Sequence, residues 1–202
     1  MNKAIISVLV VVVIFPVFSQ NEIDKYTYGL SYGYGKEFKN WDYAYTNSFY
    51  KAQFLYKINK SEKFHYQIMI QPEYNKATHQ LLNMYFVTPE EPDFLEDRIN
   101  YMKLKNVNEY VLNIGMTFRK PLGKHWSVYG LLSVGPMIVD TETERLSKGF
   151  AFADVAAIGF AYHTRQFTID FRPQLRHTSN AGLQDSNAGF NTFNLEFGIQ
   201  FL

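Results

Sequence analysis

The chain has 202 residues, a formal net charge of +1 and no cysteine. The near-neutral charge gives no general electrostatic reason to expect a nucleic acid partner, and the lack of cysteine excludes disulfides, thiol chemistry and thiolate metal sites. Tyrosine (15) and phenylalanine (18) are abundant and no long helical period is visible, so the composition favours β-structure.

The first residues predict export from the cytoplasm. Lys3 is followed by a predominantly apolar run from Ala4 to Phe15 and by a cleavage-like site before Gln20, a pattern typical of a secretory signal peptide. The run is short for a transmembrane helix, so a membrane anchor is the weaker interpretation. We therefore predict a signal peptide over residues 1–19 and a single domain over residues 20–202.

Eight segments of the remaining chain alternate apolar and polar residues. Most are roughly ten residues or longer, the length that a tilted strand needs to cross a bilayer. The alternation is less regular in the fifth and sixth segments, where Asp154 falls in phase with apolar residues. The segments run from Tyr26 to Tyr34, Ser48 to Ile58, Phe64 to Tyr74, Tyr110 to Phe118, Trp126 to Val139 and Phe150 to Tyr162, followed by a seventh from Phe167 and an eighth ending at Phe201.

The links between these segments alternate between short and long. Residues 59–63, 120–124 and 163–166 are short and rich in turn-forming or charged residues. The longer polar links are residues 35–47, 75–108, 140–149 and 178–190. Short turns on one side and long loops on the other predict an all-β fold, an eight-stranded antiparallel transmembrane β-barrel of the outer membrane with periplasmic termini.

A soluble lipid-carrying barrel, with its large apolar residues inside, is the inverted interpretation of the same pattern. The two faces of the strands argue against it. One face carries large apolar and aromatic residues, whereas the other carries small and hydrogen-bonding residues that fit inside a narrow barrel. Examples of the second face are Gly29, Ser31, Gly33, Gly115 and Thr117.

Other motifs give no sign of a metal or cofactor. Gly29, Gly33 and Gly35 form a glycine series, but no helix follows it, so a phosphate-binding loop is not expected. The acidic link from Thr88 to Asp97 is of the kind usually found solvated. The other histidines, His65, His79, His125 and His163, lack metal-ligand spacing.

The end of the seventh segment is the strongest candidate for a functional site. From Phe167 onward the apolar residues occupy odd positions, and His177 and Ser179 continue that phase. Asn191 is in phase with the apolar residues of the eighth segment. Because sequential strands usually pair, these three polar side chains are expected to converge on the apolar face of one hairpin. A polar loop rich in turn residues is the alternative interpretation.

This region also resembles a known family. The runs from His177 to Leu183 (HTSNAGL) and from Asn187 to Asn191 (NAGFN) resemble the C-terminal signature of the PagL-type lipid A 3-O-deacylases, also called acyloxyacyl hydrolases. The resemblance implies a serine esterase embedded in the outer membrane. It would remove the acyl chain ester-linked at the 3-position of lipid A, within lipopolysaccharide of the outer leaflet, without a metal or cofactor.

The resemblance also assigns roles to individual residues. His177 would be the general base and Ser179 the nucleophile, while Asn180 and the backbone N–H of Gly182 would contribute to the oxyanion hole. The residue matching Asn191 is a glutamate in the well-known member of the family, where it completes a Ser-His-Glu triad. Asparagine can orient the imidazole but carries no charge to stabilise the imidazolium.

Two acidic residues close to Asn191 in the sequence bear on the question of what replaces the missing glutamate. Asp185 is in the adjacent loop and is a candidate to supply the missing acid, whereas the phase of Glu196 points that residue into the barrel. The competing hypothesis is a non-catalytic outer-membrane barrel that binds lipid or a surface ligand through its long loops. The sequence leaves both a monomer and a homodimer open.

Overall fold

A computed structural model of the chain describes residues 25–58 and 63–201. Eight antiparallel strands form a closed barrel in which each strand pairs with the next and the last pairs with the first. The predicted eight-stranded barrel is therefore confirmed. The strands are β1 (Tyr26–Glu37), β2 (Tyr43–Lys57), β3 (His65–Leu81), β4 (Lys105–Pro121), β5 (Trp126–Val139), β6 (Gly149–His163), β7 (Phe167–Ser179) and β8 (Phe190–Phe201).

Two sequence predictions fall on residues that lie outside these described ranges. They concern the signal peptide over residues 1–19 and the greater part of the turn over residues 59–63. The turns at the same end of the barrel that are described follow β4 and β6. They are short, as the sequence predicted.

The first four strands extend further toward the long loops than the sequence predicted. β1 continues to Glu37 and β2 begins at Tyr43, so the long link expected over residues 35–47 is only the turn 38–42. The extension was hidden because strands that rise above the bilayer no longer need an apolar outer face. The β3–β4 link is also shorter than expected, covering residues 82–104.

The β3–β4 loop contains its own secondary structure. A 3-10 turn spans Met84–Phe86 and a short helix, α1, spans Phe94–Tyr101. Arg98 of α1 anchors the helix by donating two hydrogen bonds to the carbonyl oxygen of Val87, at 3.0 and 2.8 Å. The helices in the described part of the chain are too short or too polar to span a bilayer.

Paired charges fill the barrel interior. Lys51 Nζ lies 3.3 Å from Glu73 and 3.1 Å from Glu196, while Arg176 contacts Glu73 at 2.5 Å and Glu109 at 2.6 Å. These side chains are almost completely buried. Buried charges are tolerated only when they are paired and hydrogen-bonded, as they are here. The interior is thus a packed polar core. The alternative interpretation, a soluble lipid-carrying barrel with its large apolar residues inside, is therefore wrong.

Large apolar side chains cover the outer wall instead. Residues that alternate with the buried polar ones expose about half of their surface, as the outward face of a membrane barrel requires. Aromatic residues such as Tyr26, Tyr66, Trp126 and Tyr162 lie near the strand ends on this wall. The arrangement fixes the direction in which the candidate residues of β7 and β8 point.

Candidate functional site

β7 and β8 bring two of the predicted residues side by side on the outer wall. His177 pairs directly with Asn191 across the two strands. His177 is exposed and Asn191 is partly exposed, whereas the alternating neighbours Arg176 and Thr178 are buried inside the barrel. Opposite residues of an antiparallel pair share one face, so the predicted convergence on the hairpin's outer surface is present.

A hydrogen bond fixes the orientation of the imidazole. His177 Nδ1 lies 3.0 Å from Asn191 Oδ1. Because an amide oxygen only accepts, Nδ1 carries the proton in this arrangement. The neutral ring then presents an unprotonated Nε2, which is the state that a general base needs.

Ser179 completes the outward-facing set as the last residue of β7. It lies two positions beyond His177 in the same phase and is partly exposed. No hydrogen bond joins the two side chains in the described structure. The pair shares a face without being in hydrogen-bond contact, which is common before substrate binds.

The residues assigned to the oxyanion hole lie in a tight turn directly after Ser179. The Leu183 N–H donates to the Asn180 carbonyl at 3.0 Å, and Ala181 and Gly182 both have positive φ, at 54° and 76°. These angles define a type I′ turn. Gly182 N–H donates to Asn180 Oδ1 at 3.0 Å. That donor is therefore engaged within the turn.

The Asn180 side chain organises the loop that follows. Its Nδ2 donates to the Ser186 carbonyl at 2.9 Å, and its backbone N–H donates to Asn187 Oδ1 at 2.7 Å. Asn180 is completely buried. These contacts fold the segment from Asn180 to Asn187 back on itself.

The β5–β6 loop fastens the same segment from the other side. Arg145 donates from Nε to the Gly189 carbonyl at 2.7 Å and from Nη2 to the Ala188 carbonyl at 3.1 Å. The Gly189 N–H returns a hydrogen bond to the Arg145 carbonyl at 2.9 Å, and Leu146 forms a β-bridge with Asn187. The β7–β8 loop is therefore clamped to its neighbour.

Gly189 sits against the imidazole itself. Its φ is +67°, and a Cβ built there would lie 2.4 Å from the Thr178 carbonyl oxygen and 3.6 Å from His177 Cε1. Only glycine fits this position, because any side chain would be strained and would collide with the backbone. A side chain at this position would also come into van der Waals contact with the His177 ring.

An apolar groove of about 630 Å³ runs along the outer wall to His177 and Asn191. Its floor is made by outward-facing residues of β4 to β7 that include Ile114, Leu132 and Leu175. The groove contains one carboxylate, that of Asp154 on β6. This residue pairs directly with His177 across the β6–β7 ladder and is exposed.

Sequence reasoning recorded Asp154 only as an irregularity of phase and did not connect it with the site. In the structure its carboxylate forms no hydrogen bond or ion pair with another described residue. A charge that faces lipid is costly and commonly functional. The signal that could have identified it was present: an acidic residue in the apolar phase of a strand adjacent to the one bearing His177.

A second carboxylate, Glu37, approaches from the end of β1. Its Oε2 accepts a hydrogen bond from the Asn191 backbone N–H at 2.8 Å and another from the Tyr43 hydroxyl. The Phe38 N–H donates to the Asn191 carbonyl at 3.2 Å. Sequence analysis missed Glu37, because only closure of the barrel brings β1 against β8.

Neither of the two acidic residues that the sequence analysis compared with Asn191 is hydrogen-bonded to His177. Asp185 is exposed in the loop, and its carboxylate forms no hydrogen bond or ion pair with His177 or any other described residue. Glu196 is fully buried and pairs with Lys51 and Arg172, so its inward phase was predicted correctly. Residues 25–58 and 63–201 contain no group of three or more potential metal ligands from histidine and acidic side chains.

Comparisons with known proteins agree with this architecture. The family model of lipid A 3-O-deacylase (PagL) matches residues 93–200, which include every candidate residue on β7 and β8. Comparison with curated protein sequences gave no match.

Two solved structures share the fold. The chain is similar to the outer membrane enzyme PagL, with a TM-score of 0.61 and 11% identity over 84% of this chain and 97% of that chain. It is also similar to Neisserial surface protein A, with a TM-score of 0.51 and 11% identity over 87% and 96% of the two chains. Because the family model matches more than half of its residues, the chain belongs to the PagL family of lipid A deacylases, β-barrels of the bacterial outer membrane.

Proposed function

We propose that this chain is a serine esterase that hydrolyses the 3-O-linked acyl ester of lipid A. The hydrogen bond from His177 to Asn191, on the outer wall and beside an apolar groove, is the observation that carries the proposal. A lipid A ester lies at the boundary between sugar and hydrocarbon. An enzyme that attacks it without extracting the lipid needs its nucleophile on the outside of the barrel, near the rim.

The proposed reaction begins with attack by Ser179 Oγ on the ester carbonyl carbon. His177 Nε2 takes the hydroxyl proton, while Asn191 holds the Nδ1–H side of the ring. The tetrahedral intermediate then collapses, and the sugar oxygen leaves with the proton from His177. Water, deprotonated by the same imidazole, then attacks the acyl-enzyme. The fatty acid leaves as the proton passes from His177 to Ser179 Oγ.

The oxyanion is proposed to receive hydrogen bonds from Asn180 and the Gly182 N–H. Both groups are engaged within the turn, so substrate must replace the bonds that Gly182 makes to Asn180 Oδ1 and that Asn180 makes to Ser186. An oxyanion is a stronger acceptor than a neutral amide or carbonyl oxygen, which favours this exchange. The groove beside His177 offers an apolar surface to the acyl chain that carries the scissile ester.

The test is the mass spectrum of lipid A from a bacterium with complete 3-O-acylation that expresses either the parent chain or Ser179→Ala. We expect loss of one hydroxyacyl mass with the parent alone. Equal deacylation by a correctly inserted Ser179→Ala variant would show that Ser179 is not the nucleophile. Loss of an acyl chain from a different position would exclude the assigned regiochemistry.

A non-catalytic lipid-binding barrel is the second candidate. It is favoured by the absence of a carboxylate at Asn191 and by the internal hydrogen bond of the Gly182 N–H. A serine-directed phosphonate separates the two functions. Labelling that disappears in Ser179→Ala supports the esterase, and absence of labelling in a lipid-embedded, folded protein supports the binding function.

A further inference from the structure

The fixed carboxylate of Glu37 suggests how this barrel compensates for the uncharged Asn191. Glu37 accepts hydrogen bonds from three donors: the Asn191 N–H at 2.8 Å, the Lys39 N–H at 2.9 Å and the hydroxyl of Tyr43. Tyr43 is buried, and its ring packs edge-on against Phe190 with centroids 5.7 Å apart. The carboxylate is thus held in place before any substrate binds.

A continuous path of contacts connects this carboxylate with the imidazole. Glu37 Oε2 binds the backbone N–H of Asn191, and Asn191 Oδ1 binds His177 Nδ1 at 3.0 Å. Asn191 is the one residue between the charge and the ring along this path. Its carbonyl is also held, by the Phe38 N–H, so the last residue of β1 and the first residue after it bind both the N–H and the carbonyl of Asn191.

We propose that Glu37 is a positioning residue that aligns Asn191 and provides, from behind it, the negative charge that stabilises the His177 imidazolium. This inference rests on the proposed esterase function. A positive charge develops on the ring when Ser179 loses its proton, and a fixed negative charge nearby lowers the energy of that state. The acid of the triad is then divided between two residues, with orientation supplied by one and charge by the other.

The other charged groups around His177 are less well placed for this role. Asp154 faces the ring from β6 but has no hydrogen bond to fix it, and with Nδ1 bound to Asn191 and Nε2 assigned to Ser179, neither ring nitrogen remains for it. Lys36 and Lys39 near Glu37 are exposed cations whose fields oppose its own. Arg176, next to His177 in sequence, points inward to Glu73 and Glu109.

The test compares Glu37→Gln with the parent by two measurements. The glutamine oxygen can still accept from the Asn191 N–H and the Tyr43 hydroxyl, so the substitution removes the charge and keeps the shape. Only the hydrogen bond from the exposed Lys39 N–H is lost. We expect kcat to fall about three- to tenfold and the acidic limb of kcat/KM to move roughly half to one pH unit lower, because the imidazolium loses a nearby anion. Glu96→Gln, an equal charge change on α1, is the matched control and should leave both unchanged.

The second measurement does not depend on turnover. NMR titration of His177 in the detergent-embedded protein should show its midpoint at lower pH in Glu37→Gln than in the parent. An unchanged midpoint would overturn the role of Glu37 even if the protein proves to be a Ser179-dependent esterase. Conversely, a shifted midpoint in a protein without esterase activity would support the charge effect and refute the proposed function.

Three further variants test how the acid function is divided: Asn191→Glu, its combination with Glu37→Gln, and Asp154→Asn. In Asn191→Glu the charge lies directly on Nδ1, so adding Glu37→Gln should no longer lower kcat; a loss as large as in the parent background would indicate an independent structural effect. A shift of the titration by Asp154→Asn, with none by Glu37→Gln, would assign the charge to Asp154 and overturn the proposal.

Discussion

Within the described residues, one serine–histidine pair lies at each end of the barrel, and the two pairs differ in their surroundings. At the short-turn end, Ser127 Oγ lies 2.7 Å from His163 Nε2, and His163 Nδ1 lies 2.9 Å from Thr168 Oγ1. At the long-loop end, Ser179 and His177 share the outer face of β7. By distance alone, the first pair would be the better dyad.

The surroundings reverse that ranking. Ser127 is buried at 2% exposure, and Arg119 donates to its Oγ at 2.8 Å. The guanidinium opposes formation of a second positive charge on His163, and no ester can reach the hydroxyl. His177 instead lies on an apolar groove, with an anionic carboxylate behind its partner Asn191. The two pairs therefore differ in whether an ester can reach the serine and in the sign of the charge near the histidine. Both differences favour Ser179 and His177 as the candidate site.

The largest expected effect is a difference in deacylation rate between variants of His177 and His163. His177→Gln should reduce deacylation by about 10²–10⁴-fold, because general base catalysis is lost. His163→Gln should leave the rate unchanged and cost about 1 kcal/mol of stability, the typical value of a hydrogen bond that is partly replaced. Rates in detergent and urea unfolding in vesicles measure the two quantities. A large rate loss in His163→Gln would mean that the buried pair takes part in the reaction.

Much of the fold was predictable from the sequence because a strand alternates with a fixed period of two. That period determined which residues of β7 and β8 face outward, including His177 and Asn191, before any pairing was known. The strand ends near the long loops were less predictable, as β1 and β2 show. Beyond the bilayer both faces can be polar, so the alternation no longer marks the strand.

The surroundings of the site depend on register and closure, which the sequence does not display. Asp154 becomes a neighbour of His177 only through the β6–β7 register, and Glu37 reaches Asn191 across 154 residues. The hydrogen bond from Gly182 to Asn180 follows from the geometry of one turn. Such contacts are set by tertiary structure, so a motif can indicate which residues matter but not what holds them.

A pair of glycines gives the next comparison between the two ends. Both Gly189 and Gly123 have positive φ, but a Cβ on Gly189 would meet the Thr178 carbonyl at 2.4 Å, whereas nothing lies within 4 Å at Gly123. Each alanine variant should cost about 1–3 kcal/mol for its backbone strain. Because Thr178 follows His177 directly, relief of this backbone clash in Gly189→Ala should also shift His177 and reduce activity about 10- to 100-fold, since small misplacements cost that much. Equal activity of the two folded variants would show that the backbone at Gly189 does not position His177.

The smallest expected effect concerns two arginines. Arg145 binds the β7–β8 loop that follows Ser179, and Arg119 binds Ser127. The forked guanidinium of Arg145 spans the Gly189 and Ala188 carbonyls, and lysine, with one ammonium, cannot reproduce both bonds. Arg145→Lys should loosen the β7–β8 loop, lower kcat about three- to tenfold and speed hydrogen exchange of the Gly189 amide, which donates to the Arg145 carbonyl. Arg119→Lys at the other end should change neither quantity. If exchange at Gly189 quickens while kcat stays constant, the clamp orders the loop without positioning His177, and the imidazole depends on β8 and β1 alone for its orientation.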